Sequence, residues 1–274
     1  MKIGYWYYTL LDEGVGLLEL ARAIEERGFD SLFVGEHTHL PANDPQPMPG
    51  PDQVRTHSRL TDPLIALAVV AGATERLTLG TSVLLAAQRE PIVTAKAIAS
   101  LDAYSGGRVV LGVGTGWHEG EMRAHGVDPA RRSAVLREHM LAMRAIWTQD
   151  EAEFHGEHVD VGPLHSWPKP PSGPVVLTGG GKKAAWRRIA DYADGWLPIY
   201  GGDLDALVAD VTDLRARAQE LGRTLPVTVL DAPPEADALA RLADAGVDRV
   251  LLSPPVTGSD AMLRGLDAHA RLLS

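Results

Sequence analysis

The sequence predicts an α/β fold: one (β/α)8 barrel domain over residues 1–274, with insertions on its rim at about 37–62 and 148–173. Three observations predict it. Short β-rich runs alternate with amphipathic helical segments almost from end to end, the runs number eight, and no linker divides the chain. An open doubly wound sheet competes with this reading. It would place a phosphate-binding glycine turn after the first strand, where this chain has YYTLLDEGVG.

The elements follow in order. The first strand is read at 2–9, and the helix after it shows one apolar face through Leu17, Leu20, Ala21 and Ile24. The second strand, at 31–36, runs into EHTHLPANDPQPMPGPDQVRTHSRLTD, a proline-rich stretch too long for a plain βα turn. Asp62–Pro63 and Glu90–Pro91 then start two helices, with proline where its missing N–H costs nothing. Strands three and four are read at 77–84 and 108–114. A stripe of Leu136, Met140, Met143 and Trp147 marks the next helix, and AEFHGEHVDVGP reads as a small hairpin ahead of the stiff WPKPPSGP. Strands five to eight are read at 174–178, 195–199, 226–230 and 249–253, with Leu204, Leu207, Val208 and Val211 forming a helix face between the sixth and seventh. Gly28, Gly106, Gly195 and Gly246 stand between a helix and the following strand, where left-handed caps are expected.

Composition narrows the partner. The formal charge is −10 with a pI near 5.4 and no basic block, which argues against nucleic acid or an anionic membrane and for a small-molecule substrate. With no cysteine, disulfides and thiolate chemistry are excluded. The opening MKIGYWYYTL carries no signal-peptide pattern and no run approaches the ~18 apolar residues of a membrane span, so a cytoplasmic location is expected.

Chemistry in such a barrel is sought at the C-terminal ends of its strands. Those ends offer Tyr7 or Tyr8, then Glu36, His37 and His39, then Ser82 and Val83, then Thr115, Gly116 and Trp117, then Gly179, Gly180 and Gly181. His37 and His39 lie two apart in an extended chain, which suggests imidazole ligands and a metal-dependent hydrolase. The later strand ends, LTGGG, LPIY and LLSPP, add no ligand, and Asp231 is the only carboxylate there, so no metal site is expected. His37 then reads either as a hydrogen-bonded rim residue or as a proton donor or acceptor. LTGGGKK puts free backbone N–H groups and a helix N-terminus together, as phosphate binding requires; a flexible turn would read the same. RVVLGVGTGWHEGE looks like a dinucleotide fingerprint, but Trp117 stands where its third glycine belongs.

Four segments in sequence carry a resemblance: GFDSLFVGEHTHLP, RLTLGTSVLLAAQREPIVTAKAIASLDAYSGGRVVLGVGTGWHEGEMRAHG, RRSAVLREHMLAMRAIW and VVLTGGGKKAAWRRIADYADGWLP. Together they resemble the luciferase-like monooxygenase superfamily, in its branch of oxidoreductases that use the deazaflavin coenzyme F420. The resemblance implies a TIM barrel whose mouth holds the coenzyme, with a bulge and a cis peptide at Ser82–Val83. It implies that His37 lies near the reacting face, that Thr115, Gly116 and Trp117 border the ring, and that Gly179, Gly180 and Gly181 receive the phosphate. Hydride transfer with an activated C=C bond, a carbonyl or an alcohol is the implied reaction, with His37 or Glu36 handling the proton and Tyr7, His39 and Trp117 shaping the substrate pocket. Sugar-phosphate dehydrogenases of the branch carry glutamate where this chain has Trp117, which argues against that substrate. An FMN-dependent monooxygenase on the same barrel, or a non-catalytic coenzyme binder, fits the same motifs. The resemblance also implies a homodimer through helices near strands two and three, a role the apolar LIALAVVAGA helix suits, although a face buried within the barrel would read the same.

Overall fold

The architecture, seen in a computed structural model that describes residues 1–10, 15–42, 50–170, 173–253 and 259–273, alternates strand and helix as expected. The elements are β1 (Lys2–Tyr7), α1 (Leu17–Glu26), β2 (Ser31–Val34), α2 (Pro51–His57), α3 (Pro63–Ala71), β3 (Thr78–Leu84), α4 (Pro91–Ser105) and β4 (Val109–Val113). There follow α5 (Glu119–Ala124), α6 (Arg132–Thr148), β5 (Ala152–His155), β6 (Asp160–Leu164), β7 (Val175–Gly179), α7 (Lys182–Asp191) and β8 (Gly195–Leu197). The chain ends with α8 (Leu204–Glu220), β9 (Thr228–Leu230), α9 (Ala236–Asp244), β10 (Arg249–Leu252) and α10 (Ser259–Ala270).

Eight of these strands form one parallel sheet in the order β8-β7-β4-β3-β2-β1-β10-β9. Two parallel bridges, Trp196 to Val227 and Ile199 to Leu230, bring its ends together into a barrel. All eight expected barrel strands are present, and β5–β6 is the expected antiparallel hairpin. The first rim insertion holds α2; residues 43–49 of it, and 171–172 of the second, lie outside the described residues, as do the prolines after Ser253.

Local chemistry explains the boundaries. The Asp62 carboxylate accepts the Leu64 and Ile65 amides, and Glu90 accepts those of Ile92 and Val93, so α3 and α4 each have two orphan donors satisfied by the acid before their first proline. Gly28, Gly106 and Gly246 take positive φ as expected of caps. Gly195 does not. It is the first residue of β8, and a Cβ there would sit 2.2 Å from the Pro226 carbonyl oxygen and 2.8 Å from Leu177. Its role is close approach between strands where the barrel shuts. Gly195→Ala is expected to lower stability by about 1–3 kcal/mol, the range for forced overpacking, read as a lower urea midpoint at unchanged slope.

Strand parity sorts the apolar residues into two cores. Outward residues such as Tyr5 and Tyr7 on β1, Leu32 and Val34 on β2, and Leu79 and Leu111 pack under the helices. Inward residues Phe33, Leu177, Leu197, Leu230 and Leu251 fill the barrel, with Trp6, Val83 and Val110 against them. The helix LIALAVVAGA buries Leu64, Leu67 and Val70 but leaves Ile65 and Val69 66% and 48% exposed. No helix among the described residues is long and apolar enough to cross a membrane.

Candidate active site

The inner core stops short of the C-terminal ends of the strands, and the space above it is a cavity of about 510 Å³. Trp6 in β1 and Tyr8 just after it, His37 after β2, Ser82 and Val83 in β3, and Thr115, Gly116 and Trp117 after β4 line it. Gly179, Gly180 and Arg188 close one side, Leu230 and Asp231 another. The pairing of β3 with β4 shifts register between Thr81 and Leu84, and the Ser82–Val83 peptide inside that bulge is cis, where the resemblance puts it. Gly114 lets the fourth strand end approach this bulge: a Cβ there would sit 2.6 Å from Val83.

His37 is held at both ring nitrogens. Its Nδ1 lies 2.7 Å from Glu121 Oε2, and the Trp117 indole N–H donates to its Nε2 at 3.2 Å. An indole nitrogen only donates, so Nε2 is the acceptor and the proton sits on Nδ1, shared with the carboxylate. Glu121 is fully buried on α5, and its other oxygen accepts the Thr38 amide at 2.8 Å. Burial pushes the Glu121 carboxyl up, but the hydrogen bonds from His37 and Thr38 outweigh it and hold the group below the usual carboxylate range. The arrangement is a carboxylate-oriented imidazole facing a cavity, which is the means of fixing a general base in one tautomer.

Several expected site residues have other duties. Glu36 borders the mouth, yet its Oε2 accepts the Leu85 amide at 2.6 Å and its Oε1 pairs with Arg89 at 2.5 Å. Its carboxylate is taken up in bracing β2 against the turn after β3, so it is not free to move protons. Tyr7 lies on the helix-facing side of β1, and its hydroxyl points to the Val15 carbonyl at 3.5 Å; its neighbours Trp6 and Tyr8 face the cavity instead. His39 does not share a side with His37, because the chain leaves the strand after Val34 and bends at Thr38. It lies outside the cavity lining, with Nδ1 2.9 Å from the Thr38 hydroxyl. Gly181 lines an adjoining cavity of about 400 Å³ that shares Gly180 and Ile199 with the mouth.

Three lining or supporting residues escaped the sequence reading. Glu121 comes from a helix, not from a strand end. His57, the last residue of α2, has its Nδ1 on the Gln53 carbonyl at 2.8 Å and its ring 4.9 Å from that of His37. Burial pushes the His57 imidazole below its usual value, which favours the neutral ring. Arg188, one turn from the end of α7, reaches back to the Gly179 carbonyl at 2.9 Å and brings a cation beside the glycine turn.

Trp6 Nε1 and Ser82 Oγ are buried without a hydrogen-bond partner among the described residues, so the wall has polar capacity left over. The glycine turn leads into α7, whose N-cap Gly181 supplies no side-chain cap, leaving helix-end donors for an anion. These residues fit a ring in the mouth and a phosphate beside Gly180.

A family model described as luciferase-like monooxygenase matches residues 12–252. An uncharacterised protein of Mycobacterium tuberculosis is 40% identical over 259 residues, covering 91% of this chain and 90% of that one. An F420-dependent glucose-6-phosphate dehydrogenase of Nakamurella multipartita is 32% identical over 222 residues, 76% of this chain and 59% of that protein. An FMNH2-dependent dimethylsulfone monooxygenase of Pseudomonas putida is also 32% identical, over 162 residues, 57% of this chain and 44% of that protein. Among solved structures, a Streptomyces bottropensis monooxygenase superposes with a TM-score of 0.78 at 18% identity, covering 100% of this chain and 98% of that one. An F420-dependent secondary alcohol dehydrogenase in complex with an F420-acetone adduct gives 0.75 at 19%, covering 99% and 97%. At those identities the structural likeness speaks for the fold.

Proposed function

The chain belongs to the luciferase-like monooxygenase family, whose members depend on F420 or on FMN, and on that premise we propose that it is an F420-dependent oxidoreductase acting on a small alcohol or carbonyl, or on an activated C=C bond. The observation that carries the proposal is the 2.7 Å contact between Glu121 and His37 at the cavity wall. When bound, the coenzyme supplies hydride chemistry at its ring; the chain supplies placement, proton handling and exclusion of water.

Trp6, Val83, Thr115, Gly116 and Gly179 would hold the ring, and Gly180, Gly181 and Arg188 its phosphate. His37 offers a lone pair at Nε2, where the Trp117 N–H now sits. A substrate hydroxyl in that position would give its proton to Nε2, Glu121 would stabilise the imidazolium through Nδ1, and the bound coenzyme would supply the hydride acceptor. In the reverse direction the protonated ring donates to a carbonyl oxygen. Trp117, 41% exposed, forms the outer wall and turns aside a charged sugar phosphate. His57 and Tyr8, joined at 3.5 Å, bound the substrate side.

Fluorescence titration with F420 and FMN side by side tests the reading. Saturable binding of F420 with none of FMN is expected; binding of FMN alone, with oxygen consumed in its reduced form, would assign the protein to the monooxygenases instead. Arg188→Gln is expected to weaken coenzyme binding by about 10–100-fold, the equivalent of one charge-assisted hydrogen bond, while leaving the urea midpoint nearly unchanged. Ile65 and Val69 form the exposed face on which a second copy is proposed to pack, and sedimentation of the Ile65→Glu variant as a monomer beside a dimeric parent would bear on that directly.

A further inference from the structure

Outside the cavity, on the far side of Glu121, His39, Glu121 and His125 bring their ligand atoms within 4.8 Å of one another. Glu121 and His125 are four apart at the end of α5 and so project from one side of it. His39 arrives from the chain after β2, its ring 5.4 Å from that of His125. The Thr38 hydroxyl sits among them, 2.9 Å from His39 Nδ1, 2.6 Å from His125 Nε2 and 3.3 Å from Glu121 Oε1. The hydroxyl donates its one proton toward Glu121 and its lone pairs face the two imidazole nitrogens, so a single oxygen marks the point on which all three side chains converge.

A second observation concerns charge. Glu121 is fully buried, and among the described residues no lysine or arginine pairs with it; His37 meets one of its oxygens and Thr38 the other. A buried carboxylate ordinarily has a cation nearby. Two imidazoles and a carboxylate that meet beside an exposed threonine provide a place for one, open to solvent and with donors suited to zinc.

We propose that His39, His125 and Glu121 Oε1 bind one divalent transition-metal ion, with Thr38 or water completing the shell. The same carboxylate grips His37 through Oε2, so one side chain joins the ion to the imidazole in the pocket. The site is regulatory and does not depend on which coenzyme the mouth takes. An expectation of no metal follows from counting strand ends alone, and these ligands come from a loop and a helix.

The test uses Zn²⁺ and the coenzyme-free full-length chain. Equilibrium dialysis with elemental analysis, and competition against a chromophoric chelator, are expected to give one equivalent. His125→Ala and His39→Ala should each weaken binding by at least about tenfold, with unchanged circular dichroism. A His155→Ala/His165→Ala double variant, which removes two exposed histidines of the hairpin region, should bind as the parent does. Substoichiometric zinc, zinc lost in the hairpin variant, or zinc unaffected by His125→Ala would overturn the site. Zinc should also move the ring ¹⁵N resonances of His37 in the parent and leave them in place in His125→Ala; unmoved signals in zinc-loaded parent would overturn the link to the pocket.

Discussion

Arg89→Ala is expected to destabilise the protein by about 3–5 kcal/mol at neutral pH, enough to remove much of the stability of an ordinary domain. Arg89 joins Glu36 at 2.5 Å and Asp62 at 2.6 Å, and the Glu36 side chain is only 1% exposed. Without the guanidinium, Glu36 is a buried charge with one amide for company. Burial already pushes its carboxyl up against the pull of Arg89, and in the variant only the Leu85 amide opposes burial and the nearby Asp62 charge. A carboxyl whose folded value is raised favours the folded state below its unfolded value of about 4.3 and loses that advantage as pH rises. The variant's deficit should therefore be largest near pH 7 and shrink toward pH 4, as denaturant melts across that range would record. Adding Glu36→Gln should recover a large part of the loss, because the buried charge is then gone; no recovery would mean that the pair matters through packing.

Glu121→Gln is expected to reduce coenzyme-dependent turnover by about 10²-fold or more, within the range for impaired general acid–base catalysis. Glu121 uses both oxygens as acceptors, one for His37 and one for Thr38. Glutamine has a single oxygen. If it keeps Thr38, the amide N–H faces His37 Nδ1, the ring proton moves to Nε2, and that proton then points at the Trp117 N–H. If it keeps His37, the Thr38 amide is left facing a donor. Ring ¹⁵N shifts of His37 distinguish these outcomes independently of turnover. Stability follows the opposite sign from Glu36: because the folded Glu121 carboxyl is held low, its contribution is present above about pH 4.3 and is lost as pH falls through the folded value. Parent and variant should converge in acid.

The barrel was legible because its signals are local. Alternation of apolar runs, and an acidic residue followed by proline at the starts of α3 and α4, act within a few residues, and the structure places β and α elements on them. The site was less legible because its partners are distant. His37 meets Glu121 across 84 residues and Glu36 meets Arg89 across 53, and nothing in either neighbourhood announces the other. Tyr7 was misplaced for a different reason: Trp6, Tyr7 and Tyr8 are all aromatic, so alternation has no phase there, and a shift of one residue moves a side chain to the other face. His39 was misplaced because period two holds only while the chain stays extended, and it bends at Thr38.

The barrel wall is a hoop with one short lap joint. Seven of its eight junctions are ladders, while β8 meets β9 only through two bridges. Such a joint is where a hoop gives first, and amide exchange should find its fastest wall openings at Trp196, Tyr200 and Leu230, whose N–H groups close it. The glycine turn and Lys182 lie at the lip of that joint, beside Trp196 and Ile199. A phosphate held there would act as a clasp: occupancy would tighten the wall by mass action, so a filled pocket would spring open less often than an empty one.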